Sequence, residues 1–149
     1  MRKGVKILIV DDESMIRDAM KHLLEHCGCE VEAFDNGQAV LARLAQSKFD
    51  VVMTDFSMPS MQGDQLAARI REQWPDQRIV MVTALVEEYK VFGQPWGTVN
   101  ALLFKPFTFK ELQETIEGVL AVDTAADSSA IPPLPEGLPA QKFRPPPEP

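Results

Sequence analysis

Lys6-Ile7-Leu8-Ile9-Val10-Asp11-Asp12-Glu13 decides how this chain folds. The aliphatic run from Ile7 to Val10 suits a strand covered on both faces, as in a parallel sheet. Three carboxylates follow it without a break. Burying one carboxylate is costly, and like-charge repulsion raises the cost of crowding three. A hard cation ligated by oxygen relieves both terms, and magnesium suits such a set above all. The competing account is a solvated turn in which an Asp or Ser caps the next helix.

The pattern then repeats. Ser14 is placed to cap a helix bearing Ile16, Met20, Leu23, Leu24 and Cys27 at helical spacing, ended by Gly28. Glu30–Phe34 alternates as a short strand, and Asp35-Asn36-Gly37 signals a turn. Val40, Leu41 and Leu44 mark a second helix, reaching about Ser47. Phe49–Asp55 is another strand of the buried kind, and it too ends in an aspartate. The segment from Phe56 to Gly63 is a loop in which Pro59 opposes early helix and Gly63 offers conformational freedom. Leu66, Ala67, Ile70 and Trp74 carry a third helix, stopped by Pro75-Asp76. Arg78–Thr83 and Ala101–Phe104 read as two more strands, the second followed by Lys105-Pro106. Thr108 can cap a last helix with Phe109, Leu112, Ile116, Val119 and Leu120. Strands alternating with helices at this pitch imply right-handed crossovers and a parallel sheet covered on both faces.

Composition narrows the function classes. The 149 residues suit one domain, and the apolar (45%) and charged (25%) fractions are ordinary for a soluble globular protein. A net charge of -7 without a basic stripe argues against nucleic-acid binding. No apolar run reaches the length of a membrane span and no signal peptide precedes the first strand, so the cytoplasm is the expected location. Cys27 and Cys29 stand too close for an easy bridge, consistent with a reducing compartment. His22 and His26 lie four apart on the outer side of the first helix; with no second ligand cluster they read as exposed histidines rather than a zinc site. Eight of the twelve prolines fall after Asp123. Residues 123–149 therefore read as an extended, mobile tail or linker, and residues 1–122 as the folded domain.

In an open parallel sheet, ligands bind beyond the carboxyl ends of the strands. Asp11, Asp12, Asp55, Thr83 and Lys105 all stand at such ends. Three carboxylates, a hydroxyl and an ammonium on one rim match phosphoryl chemistry: a carboxylate can attack phosphorus, a cation neutralises the phosphoryl oxygens, and the lysine and hydroxyl hold the remainder.

The set Asp11-Asp12, Asp55 with Pro59 and Gly63, Thr83, and Lys105-Pro106-Phe107 resembles the receiver domain of two-component response regulators, over roughly residues 4 to 122. That resemblance implies a flavodoxin-like doubly wound five-stranded sheet of order 2-1-3-4-5 with helices on both faces. It implies Asp55 as phosphoacceptor, with Asp12, Asp55 and the backbone carbonyl of Ser57 on Mg2+ and Asp11 acting through a metal-bound water. Lys105 would pair with Asp55 and then with the phosphoryl group, and Thr83 would hydrogen-bond a phosphoryl oxygen and move on activation. The Lys105–Pro106 bond would be cis. The donor would be a histidine kinase or a phosphotransfer protein. The reader would be a downstream protein, or a second copy, on the face of the fourth helix, fifth strand and fifth helix. Nothing in the chain reads as a DNA-binding effector. Beyond self-catalysed transfer and slow autodephosphorylation, no enzyme activity is expected.

Two departures from that family stand out. Receivers usually carry Tyr or Phe three positions before the lysine, and here that residue is Leu102. Phe104 points to the opposite face from Leu103 and is not an obvious substitute by strand alternation. Gly93, Pro95 and Gly97 fall where the fourth helix belongs, so that helix should be short, from near Val86 through Lys90, with an irregular loop holding Trp96 after it. Two other readings compete. An aspartyl phosphatase needs an acid two residues after its nucleophile, where this chain has Ser57. A degenerate receiver acting as a protein-binding module should lack part of the acidic set, and all of it is present.

Overall fold

The computed structural model describes residues 3–84 and 99–121. The expected short helix near Val86, Trp96 and the proline-rich segment after Asp123 lie outside them. In chain order the elements are β1 (Lys6–Val10), α1 (Ser14–His26), β2 (Glu30–Phe34), α2 (Gly37–Leu44), β3 (Val51–Asp55), α3 (Gly63–Gln73), β4 (Arg78–Thr83), β5 (Ala101–Phe104) and α4 (Phe109–Leu120). The helix counted fifth in the resemblance is therefore α4 here.

All strand pairings are parallel, in the order β2-β1-β3-β4-β5. Alternation divides the sheet into two packed layers. Ile7, Ile9, Val51, Met53, Val80, Val82 and Leu103 meet Met20 and Leu24 of α1 and Leu112, Ile116 and Val119 of α4. Leu8, Val10, Val52, Ile79, Met81, Leu102 and Phe104 meet Val40 and Leu44 of α2 and Leu66 and Ile70 of α3. Burial on both sides explains the unbroken aliphatic runs. Leu102 and Phe104 share one layer, and Phe104 is the register partner of Thr83. Alternation therefore does not disqualify Phe104 as an aromatic neighbour of the threonine, a correction to the reading above.

Three local expectations also change. Ser14 does not cap α1; Glu13 is the N-cap, its side chain makes no capping bond, and Ser14 is the first helical residue. Asn36-Gly37 is a helix start, because the Asn36 side chain accepts from the Ala39 N–H at 2.9 Å. Asn36→Ala is expected to cost about 1 kcal/mol, read as a lower denaturant midpoint. The positive φ in the loop after β3 belongs to Ser60 (70°), inside a tight turn closed by Met61 N–H to the Pro59 carbonyl at 2.8 Å, and not to Gly63. Gly63 is demanded by space: a Cβ there would meet the Asp55 carbonyl oxygen, Met81 Sδ (2.9 Å) and Phe56 Cα (2.9 Å).

At the amino end of the sheet, Lys6 and Arg43 lie over the Phe49 ring at 5.1 and 5.5 Å, and Arg43 holds Glu32 through two hydrogen bonds. Gly28, at φ +91°, turns the chain from α1 into β2. Cys27 beside it is half-buried, Cys29 is buried, and neither forms a disulfide.

Candidate functional site

The register places the site. Val10 lies opposite Thr54 and Thr83 opposite Phe104, so Asp11, Asp55, Thr83 and Lys105 emerge along one rim. β5 is two strand spacings from β3, about 10 Å, and only a long side chain bridges that gap. Lys105 does so. Its Nζ donates to Asp11 Oδ2 at 3.0 Å and Asp55 Oδ1 at 3.2 Å, and stands 3.8 Å from Glu13 Oε1. Its backbone N–H donates to the Thr83 carbonyl at 2.8 Å, continuing the β4–β5 ladder past the strand ends and fixing the lysine beside Thr83.

Asp11 is wholly buried and fully engaged. Oδ1 accepts from the Glu13 N–H at 2.9 Å while Oδ2 faces Lys105. Asp55 is 5% exposed. Burial first, then the neighbouring Asp11, push its carboxyl up to about 6 against the pull of Lys105. Burial acts to lower the Lys105 pKa, but Asp55 and Asp11 outweigh it and hold the ammonium above its ordinary range. Together these interactions keep a carboxylate and an ammonium in hydrogen-bond contact where bulk water cannot screen them.

Asp11, Asp12, Glu13 and Asp55 each offer an oxygen within 4.8 Å of the others. An all-oxygen set, buried at Asp11 and Asp55 and open at Asp12 and Glu13, fits a magnesium ion that retains several waters. The site residues expected from the sequence thus assemble as follows. Asp11, Asp55 and Lys105 are in direct contact, Asp12 closes the oxygen cluster, and Thr83 is buried on the neighbouring strand end. Ser57 is exposed in the loop directly after Asp55 and Phe56.

Sequence reading grouped Glu13 with the acidic run and placed Gly63 in the motif, but it missed Arg17 altogether and the part each of the three plays. Glu13 joins the oxygen cluster instead of capping its own helix. Arg17 donates from Nη1 to the Asp11 carbonyl at 2.7 Å. Gly63 gives Asp55 the room its backbone needs. Helical spacing offered one signal, since Arg17 follows Glu13 by one turn and so lies over the acidic terminus.

Comparison with known proteins follows the same lines. Residues 7–117 match the family model of the response regulator receiver domain. Over 122 residues the chain is 35% identical to chemotaxis protein CheY-3 of Vibrio cholerae, covering 80% of this chain and 94% of that one. It is 37% identical over 118 residues to chemotaxis protein CheY of Pseudomonas aeruginosa, covering 77% and 95%. Among solved structures, response regulator protein TrrA from Thermotoga maritima in complex with Mg(2+)-BeF is similar at a TM-score of 0.72 and 31% identity, over 78% of this chain and 99% of that one. A complex of histidine kinase ThkA with TrrA is similar at a TM-score of 0.71 and 30% identity, with shares of 78% and 99%.

Proposed function

The chain belongs to the response regulator receiver family, and from that premise we propose that Asp55 is its phosphoacceptor, taking a phosphoryl group from a histidine kinase or a phosphotransfer protein. One observation carries the assignment. Asp55, like Asp11, is a buried carboxylate that meets Lys105, here at 3.2 Å, but both side-chain oxygens of Asp11 are already bonded, to Glu13 N–H and Lys105, while Asp55 shares the oxygen cluster with Asp11, Asp12 and Glu13.

An Asp55 carboxylate oxygen attacks phosphorus, and a P–O bond forms as the donor's P–N bond breaks. The electron pair of that bond leaves on the donor nitrogen. Lys105, held in place by Asp11, keeps an ammonium beside the oxygens that gain charge. Thr83, on the adjacent strand end, supplies a hydroxyl for a phosphoryl oxygen. Asp11, Asp12, Asp55 and the Ser57 carbonyl would hold magnesium, which when bound neutralises phosphoryl charge. The similarity to a receiver solved with Mg(2+)-BeF, and to one in complex with a histidine kinase, supports both the metal and the donor class. The protein acts by being modified and has no turnover of its own beyond slow loss of the phosphoryl group. No helix among the described residues is long and apolar enough to cross a membrane. Action in the cytoplasm, with a protein target or a second copy reading the face of β5 and α4, is part of the same proposal.

Incubation with a small acyl phosphate and magnesium should leave one adduct, mapped by mass spectrometry to Asp55. An adduct elsewhere, or none, rejects the assignment. Magnesium should also raise the melting temperature, because it binds only the folded carboxylate cluster. Asp12→Ala is expected to lose most of that rise, measured by thermal denaturation with and without the ion.

A further inference from the structure

We propose that Arg17 is a positioning residue for the magnesium site, acting through the peptide plane between Asp11 and Asp12. The inference rests on the site reading given above.

Arg17 is the fourth residue of α1, and its Nη1 reaches back six residues to the Asp11 carbonyl, at 2.7 Å. Four carboxylates cluster next to that bond, yet among the described residues Arg17 forms no ion pair. A guanidinium normally seeks a carboxylate, which it matches with two parallel bonds. Here it is aimed at a neutral oxygen.

The choice of oxygen matters. Every other polar group of Asp11 is already engaged: its N–H donates to the Phe34 carbonyl at 3.2 Å, Oδ1 accepts from Glu13 N–H, and Oδ2 accepts from Lys105. The carbonyl is the remaining group, and it belongs to the rigid plane that also contains the Asp12 amide. Holding that oxygen therefore fixes how Asp12 leaves the end of β1. Asp12 itself is exposed, so its aim depends on the backbone behind it rather than on packing. Partners that orient metal ligands commonly affect affinity by about 10- to 100-fold when removed.

The sign of the effect separates positioning from charge. If Arg17 were only a nearby cation, deleting it would reduce repulsion and tighten magnesium binding. If it positions Asp12, deleting it weakens binding. The test uses the full chain as parent, Arg17→Met and Arg17→Lys. Magnesium dissociation constants are measured by calorimetric titration, alongside metal-free melting temperatures and phosphorylation rates at limiting and saturating magnesium. Arg17→Met should raise the magnesium Kd by about tenfold. Arg17→Lys, which keeps a long donor, should recover most of the affinity. The phosphorylation rate should fall more at limiting than at saturating magnesium, so that the defect appears chiefly in the metal requirement. An unchanged or lower Kd in Arg17→Met overturns the proposal. So does a lower melting temperature with unaltered affinity, which marks a purely structural bond. Should Arg17→Met fail to fold, Arg17→Gln, with its shorter donor, should give an intermediate Kd, and parent-like or tighter binding there overturns the proposal equally. A parent that does not bind magnesium, or an Asp12→Ala variant that binds it as well as the parent, would reject the site reading itself.

Discussion

Asp55→Asn should accept no phosphoryl group, and in the absence of metal at pH 7.5 it should melt several degrees above the parent. The first half follows from chemistry, because an amide oxygen is not a useful nucleophile toward phosphorus. The second follows from linkage. The Asp55 carboxyl is raised from an ordinary 3.8 to about 6 by burial and by Asp11. Below about pH 4 the group is protonated in the folded and unfolded states alike, so it carries no penalty. As pH rises from 4 to 6 the unfolded chain releases this proton while the fold retains it, and stability falls. Above about 6 the loss is complete and amounts to roughly 2 to 3 kcal/mol at most. Asparagine never charges, so the variant escapes that loss, and the gap in melting temperature should close when both proteins are compared at pH 4. A variant that labels like the parent removes Asp55 from the acceptor role. A variant that melts below the parent at pH 7.5 shows instead that the bond to Lys105 outweighs the burial of charge.

Gly63→Ala should be among the most damaging single-methyl additions in the molecule. The added carbon would run into the Asp55 carbonyl oxygen and lie 2.9 Å from both Phe56 Cα and Met81 Sδ. Two of those atoms are backbone and cannot rotate away, although the methionine can. Moreover, the Gly63 N–H donates to the Phe56 carbonyl at 2.8 Å, tying the start of α3 to the strand it would have to leave. Crowding of this kind costs roughly 3 kcal/mol, a drop of about 10 °C in melting temperature. Phosphorylation should slow in the variant even well below its melting point, because the carbonyl displaced is that of Asp55, the proposed acceptor. A parent-like melting temperature would show that α3 can slide without strain.

Gly63 also marks the limit of what a sequence discloses. Its presence in the loop after Asp55 was legible, but the reason assigned to it was backbone freedom. The actual reason is a non-local contact between the first residue of a helix and the last residue of a strand, which no local pattern encodes. The positive φ sits instead at Ser60, a residue that carries no strong signal for it. By contrast, Glu30–Phe34, Arg78–Thr83 and Ala101–Phe104 coincide with β2, β4 and β5 residue for residue, because alternation or burial is written into each run. Asp11, Asp12, Asp55, Thr83 and Lys105 were legible for a topological reason: a polar residue straight after an apolar strand of a parallel sheet has one rim to occupy. What that argument lacks is how the residues divide their bonds. The placing of Lys105 between Asp11 and Asp55, the turn of Glu13 toward the oxygen cluster, and the bond from Arg17 to the Asp11 carbonyl depend on side-chain directions that emerge only after the strands are paired. Phe104 gives the same lesson in reverse, since its alternation was legible while the layer it shares with Leu102 and its pairing with Thr83 were not drawn from it.

The two cysteines, neither in a disulfide, offer a means of watching this molecule at work. Burial raises the Cys29 thiol above its ordinary pKa, so the reactive thiolate is scarce there, whereas Cys27 is half-buried. With only these two cysteines in the chain, a maleimide dye applied to the folded protein should attach at Cys27 first. That residue closes the far end of α1, whose 13 residues place it about 20 Å from the acidic rim. The chain thus carries a labelling handle rigidly joined to the acidic rim by one helix, remote enough to leave the oxygen cluster untouched. Fluorescence at that handle is suited to testing the proposed metal binding and phosphorylation without engineering any cysteine into the protein.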